Sequence, residues 1–118
     1  YQMKMGVTGL EYGLSVLATV VSRPEKHRAV LDSGRKTLNP DAQLPLVKGH
    51  PETEVVRMSA EHCELALVGD ALDLAIGDKV ELIVGYADFT TVLHDHFYAC
   101  RGEELEAVWE IAGRGKLQ

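Results

Sequence analysis

Between Lys79 and Arg101, in KVELIVGYADFTTVLHDHFYACR, an apolar run is followed by seven side chains able to move a proton or bind a metal: Tyr86, Asp88, His94, Asp95, His96, Tyr98 and Cys100. The other histidines, His27, His50 and His62, lie outside this stretch. Phenol and imidazole exchange protons in general acid–base catalysis. Imidazole and carboxylate also bind cations. Tyr86 and Asp88 follow the strand KVELIV directly, at a strand end where side chains at i and i+2 face the same way, and could jointly address one substrate or cation. The plainer alternative is a strand that ends in a turn. His94 and His96 share a face only in an extended segment, and no further Cys or His stands at a zinc-finger spacing. His96 is expected to meet solvent.

The remaining candidates are weaker. His62, beside Glu61, reads as a buried, hydrogen-bonded histidine that fixes a loop at least as readily as a catalytic one. Cys63 and Cys100 fall on expected strands, where buried cysteines act as small hydrophobes. Lys36 could pair with a carboxylate or phosphate, although a lone lysine is usually solvated. There is no Gly-rich phosphate loop and no GxSxG elbow, so a self-contained enzyme has little support.

The elements that must position these residues are mostly strands. Leu14 to Ser22 reads as a buried strand stopped by Pro24, and Arg28 to Asp32 as a second closed by Gly34. Lys36 to Thr53 holds Pro40, Pro45 and Pro51 and is expected to be a long surface loop. EVVRMS, CELAL and KVELIV follow as strands, the last entered through a Gly77-Asp78 turn. FYACR and EAVWEI flank Gly102-Glu103-Glu104 as a terminal hairpin, with Ala107, Trp109 and Ile111 on one face of its second arm. Helix signals are few: Glu103 to Val108 could form a turn, and Asp70 to Ile76 a short helix or irregular connection. Seven short strands favour an all-β sandwich or barrel with one or two helical turns.

The chain of 118 residues fits one domain, and 46% hydrophobic with 25% charged residues is an ordinary globular composition. A net charge of -6 argues against nucleic acid, whose phosphates need a basic face. The two cysteines build no disulfide framework and no CxxC pair, so a reduced, cytoplasmic setting is expected. No apolar run approaches the ~20 residues that span a bilayer. Tyr1 as first residue suggests a piece of something longer.

Six segments in order, LSVLATVVSRP, AVLDSGRKTL, RMSAEHCEL, IGDKVELIV, TTVLHDHFYACRG and VWEIAGRGK, cover nearly the whole chain. Together they resemble the C-terminal domain of the D-threonine aldolase and D-serine dehydratase family, pyridoxal-phosphate enzymes related in fold to alanine racemase. The resemblance implies a β-rich domain that closes over a cofactor held by the lysine of an N-terminal β/α barrel. Nothing here matches that barrel or its lysine, and Lys36 lies in the wrong part, so the 118 residues alone are expected to be inactive. It further implies a homodimer and a small D-amino acid substrate. Metal-dependent members carry Pro-Asn-His-x-Asp or Pro-Asn-His-x-Cys after the strand. This chain has Val84-Gly85-Tyr86-Ala87-Asp88, so the acidic position is kept as Asp88 and the imidazole position is Tyr86.

A phenol of pKa ~10 must lose its proton before it ligates, which makes tyrosine a poor ligand for Zn²⁺ or Mn²⁺. Two expectations follow. In one, Asp88 holds a hard cation completed by water. In the other, slightly preferred, Tyr86 moves a proton near the substrate, with His94 next in line as a catalytic group. The rival from another class is a non-catalytic β-domain that dimerises or binds a small molecule.

Overall fold

The computed structural model describes residues 7–116. Their strands are β1 (Ser15–Glu25), β2 (Arg28–Leu31), β3 (Leu46–Val47), β4 (Glu54–Met58), β5 (Cys63–Ala66), β6 (Lys79–Ile83), β7 (His96–Arg101) and β8 (Glu104–Glu110). A 3-10 helix spans Gly69–Asp73, and one short helix, α1, spans Ala87–Thr91. Six strands form an antiparallel sheet in the order β3-β6-β1-β2-β5-β4, and β7 and β8 pair separately. The edge strands β3 and β4 approach each other, so the large sheet curls into a nearly closed barrel. The mainly β expectation and its barrel form therefore hold.

Alternation in the sequence sets the core. Val16, Ala18 and Val20 of β1 turn inward, as do Ala29 and Leu31 of β2, Cys63 and Leu65 of β5, and Val80 and Leu82 of β6. Burying one such branched side chain is worth ~1.5–3 kcal/mol, so this inner face dominates the fold's stability. In β4 the inward residues are Val55 and Met58, one odd and one even. A register shift between Val55 and Arg57 inserts the extra residue that brings both inside.

The structure corrects several expectations. Pro24 does not stop β1, which runs to Glu25. The ladder to β2 is already irregular between Ser22 and Glu25, and of β1 only Ser15 to Thr19 pair with β6, so the missing N–H of Pro24 interrupts no regular pairing. The far end of β1 is held by Arg23, whose guanidinium donates to the carbonyls of Lys26, Arg28, Leu72 and Leu74. The Lys36 to Thr53 loop contains the two-residue β3, and Pro40 and Pro45 are buried within it. Glu103 to Val108 forms no helical turn, because Glu104 onward is strand β8.

Gly34 follows from close packing. A Cβ there would lie 2.5 Å from the backbone nitrogens of Glu61 and His62 and 2.6 Å from the carbonyl carbon of Ala60. Without a side chain, the 34–36 segment lies on the β4–β5 turn, where Arg35 and Lys36 N–H groups donate to Ser59 and Ala60 carbonyls at 2.8 and 3.0 Å. Lys36 meets Glu61 at 2.5 Å, the carboxylate pairing allowed for it.

The β7–β8 hairpin forms as expected, but its backbone lies against no other strand among the described residues. Ala107 and Ile111 are half-buried while Trp109, on the same face, is 59% exposed. Among the described residues no helix is long and apolar enough to cross a membrane.

Candidate functional site

The seven side chains of the Lys79 to Arg101 stretch divide among three places. Tyr86 and Asp88 lie at a corner where β6 ends and α1 begins. His96, Tyr98 and Cys100 lie along β7, all exposed. His94 and Asp95 occupy the turn between them.

At the corner, Tyr86 is the residue before α1, with extended backbone (φ -145°, ψ 108°), and Asp88 belongs to the first turn of the helix. The shared-face expectation rested on a continuing strand and fails, because a helix rotates residues two apart to different sides. Tyr86 is half-buried and meets Phe89 edge-on, with ring centroids 4.8 Å apart at 82°. Asp88 is exposed.

The corner is clasped by the loop that follows β2. Thr90, only 2% exposed, donates its hydroxyl to the Tyr86 carbonyl at 2.9 Å and accepts the Asn39 N–H at 3.2 Å. His94 Nε2 lies 2.6 Å from the Thr37 carbonyl oxygen. A carbonyl only accepts, so Nε2 carries a hydrogen and donates it to Thr37, and Nδ1 is the ring nitrogen outside that bond. Gly85 completes the clasp: a Cβ on it would overlap the carbonyl oxygen of Gln43 and stand 2.8 Å from that carbonyl carbon. Gly85, Thr90, Thr37 and Gln43 were not singled out in the sequence. A glycine just past a strand was the only visible signal, and its contact partner lies far away along the chain.

Asp95 is paired with Arg114 at 2.5 Å, and the same guanidinium donates to the Val92 carbonyl. The hydrogen bond and charge of Arg114 hold the Asp95 carboxyl below its usual range. Ile111 N–H donates to the Asp95 carbonyl at 2.8 Å, so the segment after β8 returns to brace the turn that carries His94. His62, expected to be buried, is exposed, and its backbone bonds to Ser59: its N–H donates to Ser59 Oγ at 3.2 Å and its carbonyl accepts the Ser59 N–H at 2.8 Å. Cys63 is buried and its thiol is pushed up to about 12, chiefly by desolvation, so it is an inert core residue. Cys100 is exposed, contrary to the buried role expected for it.

An open cleft of about 1200 Å³ separates the outer face of β1 and β6 from the hairpin and reaches His94. One wall carries Glu81, which accepts from Lys48 Nζ at 2.7 Å and Ser15 Oγ at 2.8 Å. Lys48 first, and then Ser15, hold the Glu81 carboxyl below its ordinary range. Tyr98 lines the opposite side. Neither Tyr86 nor Asp88 lines this cleft.

Tested by its donors, the corner does not fit a divalent metal. Among the described residues no three His, Cys, Asp or Glu side chains are grouped to hold one, and the group nearest Asp88 in sequence is a phenol.

Comparisons with known proteins agree with the fold. The sequence pattern of the putative serine dehydratase domain family matches residues 13–100. The chain is 35% identical over 107 residues to 3-hydroxy-D-aspartate aldolase of Paracoccus denitrificans, covering 90% of this chain and 27% of that protein. It is 32% identical over 110 residues to D-threonine aldolase of an Arthrobacter species, covering 93% of this chain and 29% of the relative. The crystal structure of D-threonine aldolase from Filomicrobium marinum superposes with a TM-score of 0.86 at 30% identity, over 95% of this chain and 31% of that one. An alanine racemase-like protein from Idiomarina loihiensis, 22% identical with a TM-score of 0.65 over 81% of this chain and 30% of its own, shares the fold. The chain thus spans less than a third of the length of these relatives.

Proposed function

This chain belongs to the putative serine dehydratase domain family, and from that premise we propose that it is the β-rich C-terminal domain of a pyridoxal-phosphate-dependent lyase acting on a D-amino acid, with a β/α barrel preceding it. The observation that carries this reading is the 0.86 superposition on a D-threonine aldolase over nearly the whole chain. Two sequence relatives are named as aldolases of D-amino acids, one of them a 3-hydroxy acid by its name. A 3-hydroxy-D-amino acid is therefore the substrate class proposed, in a homodimeric enzyme.

The cofactor's contribution is an electron sink at Cα. Every described lysine is exposed, and Lys36, Lys48 and Lys79 are engaged with Glu61, Glu81 and Thr19. In this reading the cofactor is held by the preceding barrel.

What this domain would add is proton handling at the substrate's 3-hydroxyl. Aldol cleavage needs that hydroxyl proton removed as the Cα–Cβ bond breaks. Elimination needs the leaving hydroxyl protonated. A phenol or imidazole can do either. Tyr86 is the first residue proposed for this role, and its backbone is fixed by Thr90. His94 is the second, with its ring set by Thr37 and Nδ1 left to exchange the proton.

The test uses the full-length protein. A cofactor absorbance band that shifts on adding D-threonine or D-serine, with aldehyde or keto-acid product, is expected. A protein that never takes up pyridoxal phosphate would contradict the reading and favour a non-catalytic, dimerising β-domain.

A further inference from the structure

We infer that Arg114, in the segment after the hairpin, is the positioning residue of His94: it clamps the turn that carries the imidazole and so holds the ring at the cleft. The inference rests on the functional reading above, in which His94 moves a proton at the substrate. It goes beyond that reading by giving a part in the reaction to the 111–116 segment, which lies past the 13–100 stretch matched by the family pattern.

The imidazole is tied at its tip by one bond, from Nε2 to the Thr37 carbonyl at 2.6 Å. A hydrogen bond tolerates little displacement of either end before it weakens, so the backbone under the ring must be held as well. On the α1 side it is held. Leu93 and His94 N–H groups donate to the Thr90 and Thr91 carbonyls at 3.0 and 3.1 Å, and Thr90 is buried. On the other side the turn runs straight into β7, whose hairpin lies against no other strand among the described residues. That side needs an anchor from elsewhere in the chain.

Arg114 supplies it. Its guanidinium donates to the Asp95 carboxylate at 2.5 Å and to the Val92 carbonyl, so it grips the chain one residue after His94 and two residues before it. Ile111 N–H meets the Asp95 carbonyl at 2.8 Å, and Arg114 N–H turns back to the Ile111 carbonyl at 2.9 Å. The arginine is therefore presented by a folded turn that is itself bonded to the residue after His94. A planar fork of N–H donors suits a carboxylate and a carbonyl lying in fixed directions, where lysine offers a flexible point charge.

Stability does not account for this clamp. Its two side chains are 44% and 70% exposed, and ion pairs in water contribute little to folding. What the clamp fixes is the position of the ring between its two grips, and that ring borders the cleft together with Tyr98.

The experiment is a double-mutant cycle in the full-length protein. kcat and KM are measured on a 3-hydroxy-D-amino acid for Arg114→Gln, His94→Gln and the two combined. Arg114→Gln is expected to lower kcat by ~10–100-fold, the scale of a small misplacement of a reacting group, and to leave KM within about twofold. In the His94→Gln background the same change should alter kcat by less than about twofold, because the ring it positions is gone. The His94 Nε2–H resonance of histidine-labelled protein is followed in parallel, and is expected in the wild type and lost to solvent exchange in Arg114→Gln. With His94→Gln impaired, a wild-type kcat in Arg114→Gln, or an equal loss in both backgrounds, would overturn the inference. A wild-type kcat in His94→Gln would instead fail the functional reading of His94. The imidazole resonance then decides the positioning by itself, and its persistence in Arg114→Gln would overturn that too.

Discussion

The large sheet and the β7–β8 hairpin are written in the same alternating pattern, yet only the sheet turns the pattern into burial. Leu31 and Leu65 are fully buried, whereas Tyr98, Leu105 and Trp109 in the hairpin are 67%, 57% and 59% exposed. Alternation tells a chain to be extended, and what covers the apolar face is decided elsewhere. In the sheet the curl itself supplies the cover. The hairpin is joined to the rest through its base, where Asp95, Ile111 and Arg114 bond to one another. The corner carrying Tyr86 belongs with the sheet in this respect, since Thr90 beneath it is buried and bonded on both sides.

The contrast is broken most directly by truncation. Leu31→Ala should cost ~2–5 kcal/mol of unfolding free energy, since it opens a cavity in a closed core. Trp109→Ala should stay within about 0.5 kcal/mol despite removing a larger side chain. Urea denaturation measures both, and comparable losses would mean that the hairpin is packed after all.

The cysteines sharpen the same contrast. Cys100 on the hairpin should react with a thiol reagent in the native protein, and Cys63 at least about 100-fold more slowly, because burial both covers it and suppresses its thiolate. Mass spectrometry of partially modified protein reads the ratio, and equal labelling would show that the sheet opens readily.

The smallest effect lies at the hairpin base. Asp95 is held below its usual range by Arg114, so the pair supports the fold above the carboxyl's unfolded pKa and loses that support as pH falls through the folded value. Both side chains are substantially exposed, which keeps the contribution minor. Arg114→Gln should move the Asp95 titration upward, as followed by NMR, while the sheet's resonances stay in place. An unmoved titration would remove the ion pair from the account.

The sequence made some of this legible and hid the rest for physical reasons. KVELIV, CELAL and the terminal hairpin announce themselves by period-two alternation and turn residues, and the structure has strands at each. Helix α1 escaped because five residues are too few to display a helical period, and Phe-Thr-Thr suggests strand more than helix. Strand β3 is two residues long and exists only because β6 offers an edge to it. At the site, the residue types of Tyr86, Asp88 and His94 were visible, but not their arrangement. The requirement for Gly85 comes from Gln43, and the orientation of His94 comes from Thr37. Both are long-range contacts that no local pattern encodes.

Tyr86 is proposed to handle a proton at the position where the resemblance places an imidazole in metal-dependent members. The kcat of the full-length Tyr86→Phe variant on a 3-hydroxy-D-amino acid tests it most directly, with the cofactor band recorded to show that the site is loaded. An intact band and a kcat lowered by ~10²–10⁴-fold are expected. A Phe variant that keeps both the band and the wild-type kcat would contradict it.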